Sequence, residues 1–175
     1  MNLIVAVDEN WGIGYKGDLL ARVREDLKNF RRVTDGKTVV YGSNTLSTFP
    51  GGRVLPNRTN IVLNWDPDYA PEGAIVVHSL EELFAELKQY SRKDVFVIGG
   101  ASVYNQLLPY CDKAYVTKFR KRFESDVRIP DLDAAEDWKV AWAQEPVSVE
   151  DADFLIQFML YERVKGDCAA PKASD

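Results

Sequence analysis

Asp26 is the residue of this chain whose surroundings most need a chemical explanation. The segment Arg24–Thr34 reads as a helix with an apolar stripe at Val23, Leu27, Phe30 and Val33. Asp26 stands three positions after Val23 and four before Phe30, which puts it on the same face. A carboxylate facing apolar surface is costly unless something pairs with it. Two readings follow. Asp26 is a first-turn acid favoured by the helix dipole or paired with Arg22. Alternatively it is a buried acid that anchors a polar, protonatable heterocycle. On the residues alone both stand.

Three glycine segments could approach a ligand's phosphates. Gly12-Ile13-Gly14-Tyr15-Lys16-Gly17 matches G-x-G-x-x-G, the dinucleotide fingerprint. That fingerprint should follow a strand at once and open a helix. Here Asp8-Glu9-Asn10-Trp11 intervenes, and no helical pattern begins before Arg24, so a long, mobile loop is expected instead. Gly99-Gly100 follows an apolar run at 94–98 and opens a helical pattern at 101–108. Glycine there lets backbone come close to a ligand, and free N–H groups at a helix start favour phosphate. Gly42-Ser43-Asn44-Thr45, after a run at 38–41, is a second such place. Either alone is no more than a turn. Two in one small domain suit a pyrophosphate-bearing cofactor.

The elements that must hold these residues are short. Apolar, β-branched runs occur at 3–7, 38–41, 60–63, Ala74–Val77, 95–98 and 115–117, mostly continuous rather than alternating, so both faces should be covered. Ser79-Leu80-Glu81-Glu82 is a capping box, followed by Leu80, Leu83, Phe84 and Leu87 at helical spacing. The helix at 101–108 should stop at Pro109. Residues 138–144 and 154–163 read as two longer strands. The prediction is one α/β domain over residues 1–165, with a mostly parallel central sheet, an antiparallel edge strand and helices on both faces. Residues 166–175 are expected to be a frayed tail.

Of the 175 residues 46% are hydrophobic, enough for a sizeable single core, and the net charge is −5. That balance argues against a nucleic-acid or membrane-surface partner without excluding a small anionic ligand. The richest basic run, at 118–122, is read as a solvated strand end and loop. Cys111 and Cys168 make no disulfide framework, and with one histidine, His78, no zinc cluster is expected. The run at 3–7 is too short for a signal peptide or a membrane span. A soluble, cytoplasmic protein is expected, and a monomer, because nothing marks an interface.

Five motifs in order resemble the dihydrofolate reductase family over nearly the whole chain. They are Ile4-Val5-Ala6-Val7-Asp8-Glu9-Asn10-Trp11-Gly12-Ile13-Gly14, Asp26-Leu27-Lys28-Asn29-Phe30, Leu55-Pro56-Asn57-Arg58-Thr59-Asn60, Val97-Ile98-Gly99-Gly100-Ala101-Ser102-Val103-Tyr104, and Tyr115-Val116-Thr117 with Asp126-Val127-Arg128-Ile129-Pro130. The resemblance implies hydride transfer from NADPH to 7,8-dihydrofolate, and antifolates as inhibitors. It favours the buried-acid reading of Asp26, which would hold the pterin's amino group and ring nitrogen with Thr117 beside it. Ile4 and Ile98 would face the pterin edge through their carbonyls, with Val5 adjacent. Leu27, Phe30, Phe49 and Leu55 would wall the aminobenzoyl group, and Arg58 would take the glutamate α-carboxylate. Ala6, Ile13 and Tyr104 would meet the nicotinamide. Gly42, Asn44, Thr45, Leu63, Asn64, Gly99, Gly100, Ala101, Ser102 and Val103 would line the rest of the cofactor.

The sequence also departs from the family pattern. Leu19-Leu20-Ala21 stands where members commonly carry Leu-Pro-Trp, so an indole near the substrate is missing. Ser43 stands where many members place an Arg or Lys that grips the cofactor's 2′-phosphate. The resemblance puts His78 in that neighbourhood, where it would add charge when protonated. The expectation is an NADPH preference that is modest near neutral pH and grows on acidification. Two rivals are a riboflavin-pathway reductase on the same fold and a non-catalytic nucleotide-binding relative. Neither needs Asp26 and Arg58 together.

Overall fold

A computed structural model of the chain describes residues 1–164. The tail expected at 166–175 lies outside the described residues. The strands are β1 (Asn2–Val7), β2 (Gly12–Tyr15), β3 (Asp18–Leu19), β4 (Thr38–Gly42), β5 (Thr59–Leu63), β6 (Ala74–Val77), β7 (Val95–Gly99), β8 (Lys113–Phe119), β9 (Val127–Arg128), β10 (Trp138–Ala143) and β11 (Ile156–Arg163). The helices are α1 (Arg24–Thr34), α2 (Ser43–Leu46), α3 (Leu80–Leu87) and α4 (Ala101–Leu107).

Eight strands form one sheet in the order β10-β11-β8-β1-β7-β4-β5-β6. From β8 to β6 every pairing is parallel. The expected antiparallel strand is β11, and β10 pairs antiparallel outside it as a hairpin edge. The central strands read as continuous apolar runs because both faces are covered. On one face Leu3, Val40, Ile61 and Val97 pack with Leu83 of α3 and Leu107 of α4. On the other, Ile4, Val39, Val62 and Phe96 pack with Phe30 and Val33 of α1 and Leu46 of α2.

Local chemistry fixes the helix ends. Helix α1 has no Gly or Pro, carries Glu25 and Asp26 in its first turn and Arg31 and Arg32 in its last, a charge order that suits the dipole. The Ser79 hydroxyl caps α3 by accepting from the Glu82 N–H at 3.0 Å. The Glu82 carboxylate reaches one residue beyond the usual box and accepts from His78 N–H at 2.7 Å. Pro109 does not stop the chain's coiling at once; α4 runs on into one 3-10 turn at Leu108–Tyr110.

The stretch between β1 and α1, expected as a long, mobile loop, carries two short strands. β2 pairs antiparallel with β3 and β9 in a separate three-stranded sheet. Gly12 and Gly14 therefore lie in a strand, with no helix after them, and the G-x-G-x-x-G match has no phosphate-binding geometry.

Candidate active site

The parallel strands deliver their C-terminal ends to one rim, where open α/β sheets bind ligands. Along it the sequence brings Thr117 (β8), Ala6 (β1), Gly99 (β7), Gly42 (β4), Leu63 (β5) and Val77 (β6). Five steps of about 4.8 Å make a track of roughly 24 Å.

Asp26 stands at the first end. Its carboxyl takes a hydrogen bond from the Thr117 hydroxyl. Burial nonetheless holds it above the usual carboxylate range, the Thr117 contact working in the opposite direction. Arg22 is not its partner: that guanidinium pairs with Asp18 at 2.8 Å. An acid favoured by the helix dipole would be pulled down, so desolvation is the stronger influence. Nearby, the buried Tyr104 hydroxyl donates to the Ile4 carbonyl at 2.7 Å. Burial and the Asp26 charge raise its pKa, keeping it a donor.

Ile4, Ile98, Phe30, Phe49 and Leu55 come together in one apolar cluster, with Tyr115 against it. Leu27 does not join them; it is 45% exposed, a lip rather than a floor. Val5 faces the other side of the sheet from Ile4, in the cluster that holds Val103, Tyr104 and Leu63, with Ile13 against it. Ala6 lies beside Ala21, Phe123 and Phe158 against a third cluster. Arg58 is half-buried, donating from Nη1 to the Pro56 carbonyl at 2.7 Å and from Nε to the Thr34 hydroxyl at 3.3 Å. These contacts leave the Nη2 side of the fork for a ligand.

Midway along the track the backbone is bare. Gly99 has φ of 136°, and a Cβ there would lie 3.1 Å from the Thr45 hydroxyl. At Gly100 the same oxygen would be 3.4 Å away. A side chain at either position would crowd the Thr45 hydroxyl. Ala101 is half-buried and Ser102 exposed, its hydroxyl accepting from Gln106. No side chain caps α2 or α4, so their first N–H groups are not taken up locally.

At the far end, Asn64 Nδ2 donates to the Ser43 hydroxyl at 2.9 Å, and His78 Nδ1 lies 2.8 Å from the Asn64 carbonyl. Ser43, Asn64 and His78 are thus one hydrogen-bonded group, while Asn44 is exposed.

Four residues escaped sequence reasoning. The buried Asn60 amide bonds Leu55 N–H, the Leu55 and Arg58 carbonyls and the Tyr41 hydroxyl, which fixes the loop carrying Arg58. Its signal was an Asn inside an apolar strand. Asp8, 1% exposed, accepts from the N–H groups of Asn10, Gly12 and Phe123 and ties β2 to the chain after β8. Lys118 corrects the reading of the basic run as solvated: it is buried, paired with Asp133, and lies over the rings of Trp11 and Tyr161. Trp65, 60% exposed beside Asn64, had no motif to mark it.

The family model for dihydrofolate reductase matches residues 1–163. A dihydrofolate reductase of Bacillus subtilis is 34% identical over 163 residues, covering 93% of this chain and 94% of that protein. One of Drosophila melanogaster is 35% identical and covers 74% of this chain and 78% of its own length. The solved structure of dihydrofolate reductase from Enterococcus faecalis, complexed with NADP(H) and RAB-propyl, superposes with a TM-score of 0.81 at 37% identity. It covers 93% of this chain and 95% of its own. With its rim, its acid and its bare glycine backbone described, the chain belongs to the dihydrofolate reductase family.

Proposed function

We propose that this protein reduces 7,8-dihydrofolate to 5,6,7,8-tetrahydrofolate with NADPH. The observation that carries this reading is Asp26: a carboxyl held above the usual carboxylate range by burial and bonded by Thr117, at the apolar end of a track long enough for a dinucleotide. NADPH would supply the hydride. It fits the track because Gly99, Gly100 and Gly42 let backbone approach it where Thr45 offers a hydroxyl.

The chain's own residues do the rest. Asp26 hydrogen-bonds the pterin's amino group and ring nitrogen and, when protonated, favours the protonated ring that accepts hydride. Thr117 orients that carboxyl. The carbonyls of Ile4 and Ile98 meet the pterin edge, and Tyr104 locks the first of them. Phe30, Phe49 and Leu55 exclude water from the aminobenzoyl group, with Leu27 closing the lip. Arg58 takes the α-carboxylate. Ala6 and Ile13 meet the nicotinamide carboxamide through backbone, and the β2–β3 hairpin closes over it. A buried Asp26 together with a half-buried Arg58 favours this reading over a riboflavin-pathway reductase or a non-catalytic relative. Antifolates would compete for the Asp26 end.

A cytoplasmic location and a monomer belong to the same proposal. None of the described helices is long and apolar enough to cross a membrane. The test is loss of the reduced nicotinamide's near-ultraviolet absorbance on mixing protein, NADPH and dihydrofolate. No loss with wild type, or the same rate in Asp26→Asn, refutes the mechanism.

A further inference from the structure

The far end of the track is built without a fixed positive charge. The segments that supply Ser43, Asn64, His78 and the bare glycine backbone, 42–52, 63–90 and 99–110, contain one Lys and no Arg, with Arg53 next in the chain and its side chain beside Gly51. That Lys, Lys88, is at the C-cap of α3, the opposite end of the helix from Glu82. Acids are plentiful in the same segments: Asp66, Asp68, Glu72, Glu81, Glu82 and Glu86. One carboxylate touches the group itself: Glu82 accepts from the His78 backbone N–H. Asp66 meets it only through its backbone N–H, which bonds the Asn64 side-chain oxygen at 2.8 Å.

The polar atoms also answer one another. The Ser43 hydroxyl receives the Asn64 amide, the Asn64 carbonyl faces His78 Nδ1, and the Asn64 side-chain oxygen is held by Asp66 N–H. A phosphate dianion needs donors and neutralising charge, and a guanidinium fork supplies both. A hydroxyl, an amide and an imidazole beside one carboxylate hold no fixed positive charge. A ribose hydroxyl is neutral, can donate as well as accept, and suits that mixture. Trp65, the residue after Asn64, is 60% exposed, an aromatic ring on which a base can stack whatever its ribose carries.

We infer that this enzyme uses NADH as well as NADPH, the Ser43–Asn64–His78 group discriminating only weakly at the cofactor's 2′ position. The inference rests on the proposed reductase reading and refines its cofactor. The step stays balanced: the nicotinamide C4–H bond breaks, a C–H bond forms on the pterin ring, a proton from solvent goes to the ring nitrogen, and NADH leaves as NAD+. Electrons come from the cofactor alone, so no further reductant is required.

The test is the dissociation constant of NADH and of NADPH, followed by tryptophan fluorescence quenching at low and high salt with no substrate present. Wild type should bind the two within about tenfold of each other, since neutral hydrogen bonds separate them only modestly. The NADPH constant should depend little on salt, because no ion pair forms there. Ser43→Arg should tighten NADPH at least about tenfold relative to NADH and make NADPH binding salt-sensitive. NADPH binding a hundredfold or more tighter than NADH in wild type would overturn this inference and leave the reductase reading intact. Binding of neither nucleotide would overturn both. Because the wild-type ratio decides the matter, a Ser43→Arg protein that misfolds does not rescue the proposal.

Discussion

The two ends of the rim solve opposite problems. At the Asp26 end one ionisable group is placed where water is scarce, and burial by its surroundings sets its chemistry. At the Ser43 end several polar groups sit at the surface and satisfy one another. A desolvated charge is strongly responsive to its neighbours, whereas half-buried neutral groups that bond one another are worth little singly. One end can therefore promote a reaction, while the other can only bias which molecule arrives.

The sharpest way to break this contrast is Asp26→Asn. A positioned proton donor is commonly worth about 10²–10⁴ in rate, and single-turnover hydride transfer at neutral pH should fall by that much. The wild-type rate should decline as pH rises, because the protonated acid becomes scarce. The folded-state pKa of Asp26 is raised, so the native protein binds more protons than the unfolded chain between the ordinary Asp range and that raised value. Stability falls as pH climbs through that window. Asp26→Asn should therefore melt at a higher temperature than wild type near neutral pH, with the gain vanishing at acid pH. A melting temperature that drops instead would make Asp26 a structural residue.

Arg58 tests the middle range. Arg58→Ala should weaken dihydrofolate binding by about 1.5–3 kcal/mol and leave a bare pterin nearly unaffected. Equal weakening of both ligands would mean that the arginine serves the loop, through its bonds to Pro56 and Thr34, rather than the substrate. Asn60→Ala provides the control for that loop. It strips partners from Leu55, Arg58 and Tyr41, and should lower stability by roughly 2–3 kcal/mol in a denaturant titration.

The smallest effect belongs to His78. His78→Ala should change the NADPH-to-NADH affinity ratio by less than about fivefold at fixed pH, as expected for the loss of one hydrogen-bonding side chain. A larger change would make His78 the main discriminator at the 2′ position.

Much of this was legible in the residues because burial breaks a pattern. Asp26 interrupts an apolar stripe, and the strands are continuous apolar runs that only a doubly covered parallel sheet explains. The Gly99-Gly100 approach was readable because a strand precedes it and a helix follows. What escaped had no local signature. The β2–β3–β9 sheet depends on Gly12 pairing with Arg128 across a long sequence gap. Lys118 looked like part of a solvated run because Trp11, Asp133 and Tyr161 come to it from three other segments. Asn60 was visible in a motif, yet its four bonds became apparent only once the loop was closed over it. The Leu27 exposure was missed because helical periodicity gives a face and not what covers it.

The pairing of β1 bears on how the chain is made. Its backbone is satisfied on one side by β7 and on the other by β8, partners roughly 90 to 110 residues further along. At typical synthesis rates that separation is roughly 5–20 s of waiting for an apolar strand with both edges open. During that interval Leu3, Ile4, Val5 and Val7 are a target for holdase chaperones on the ribosome, and for wrong edge pairing when production is fast. The sheet's centre, first to be translated, is thus among the last parts to be closed, and a slowed message over β8 would lengthen its exposure.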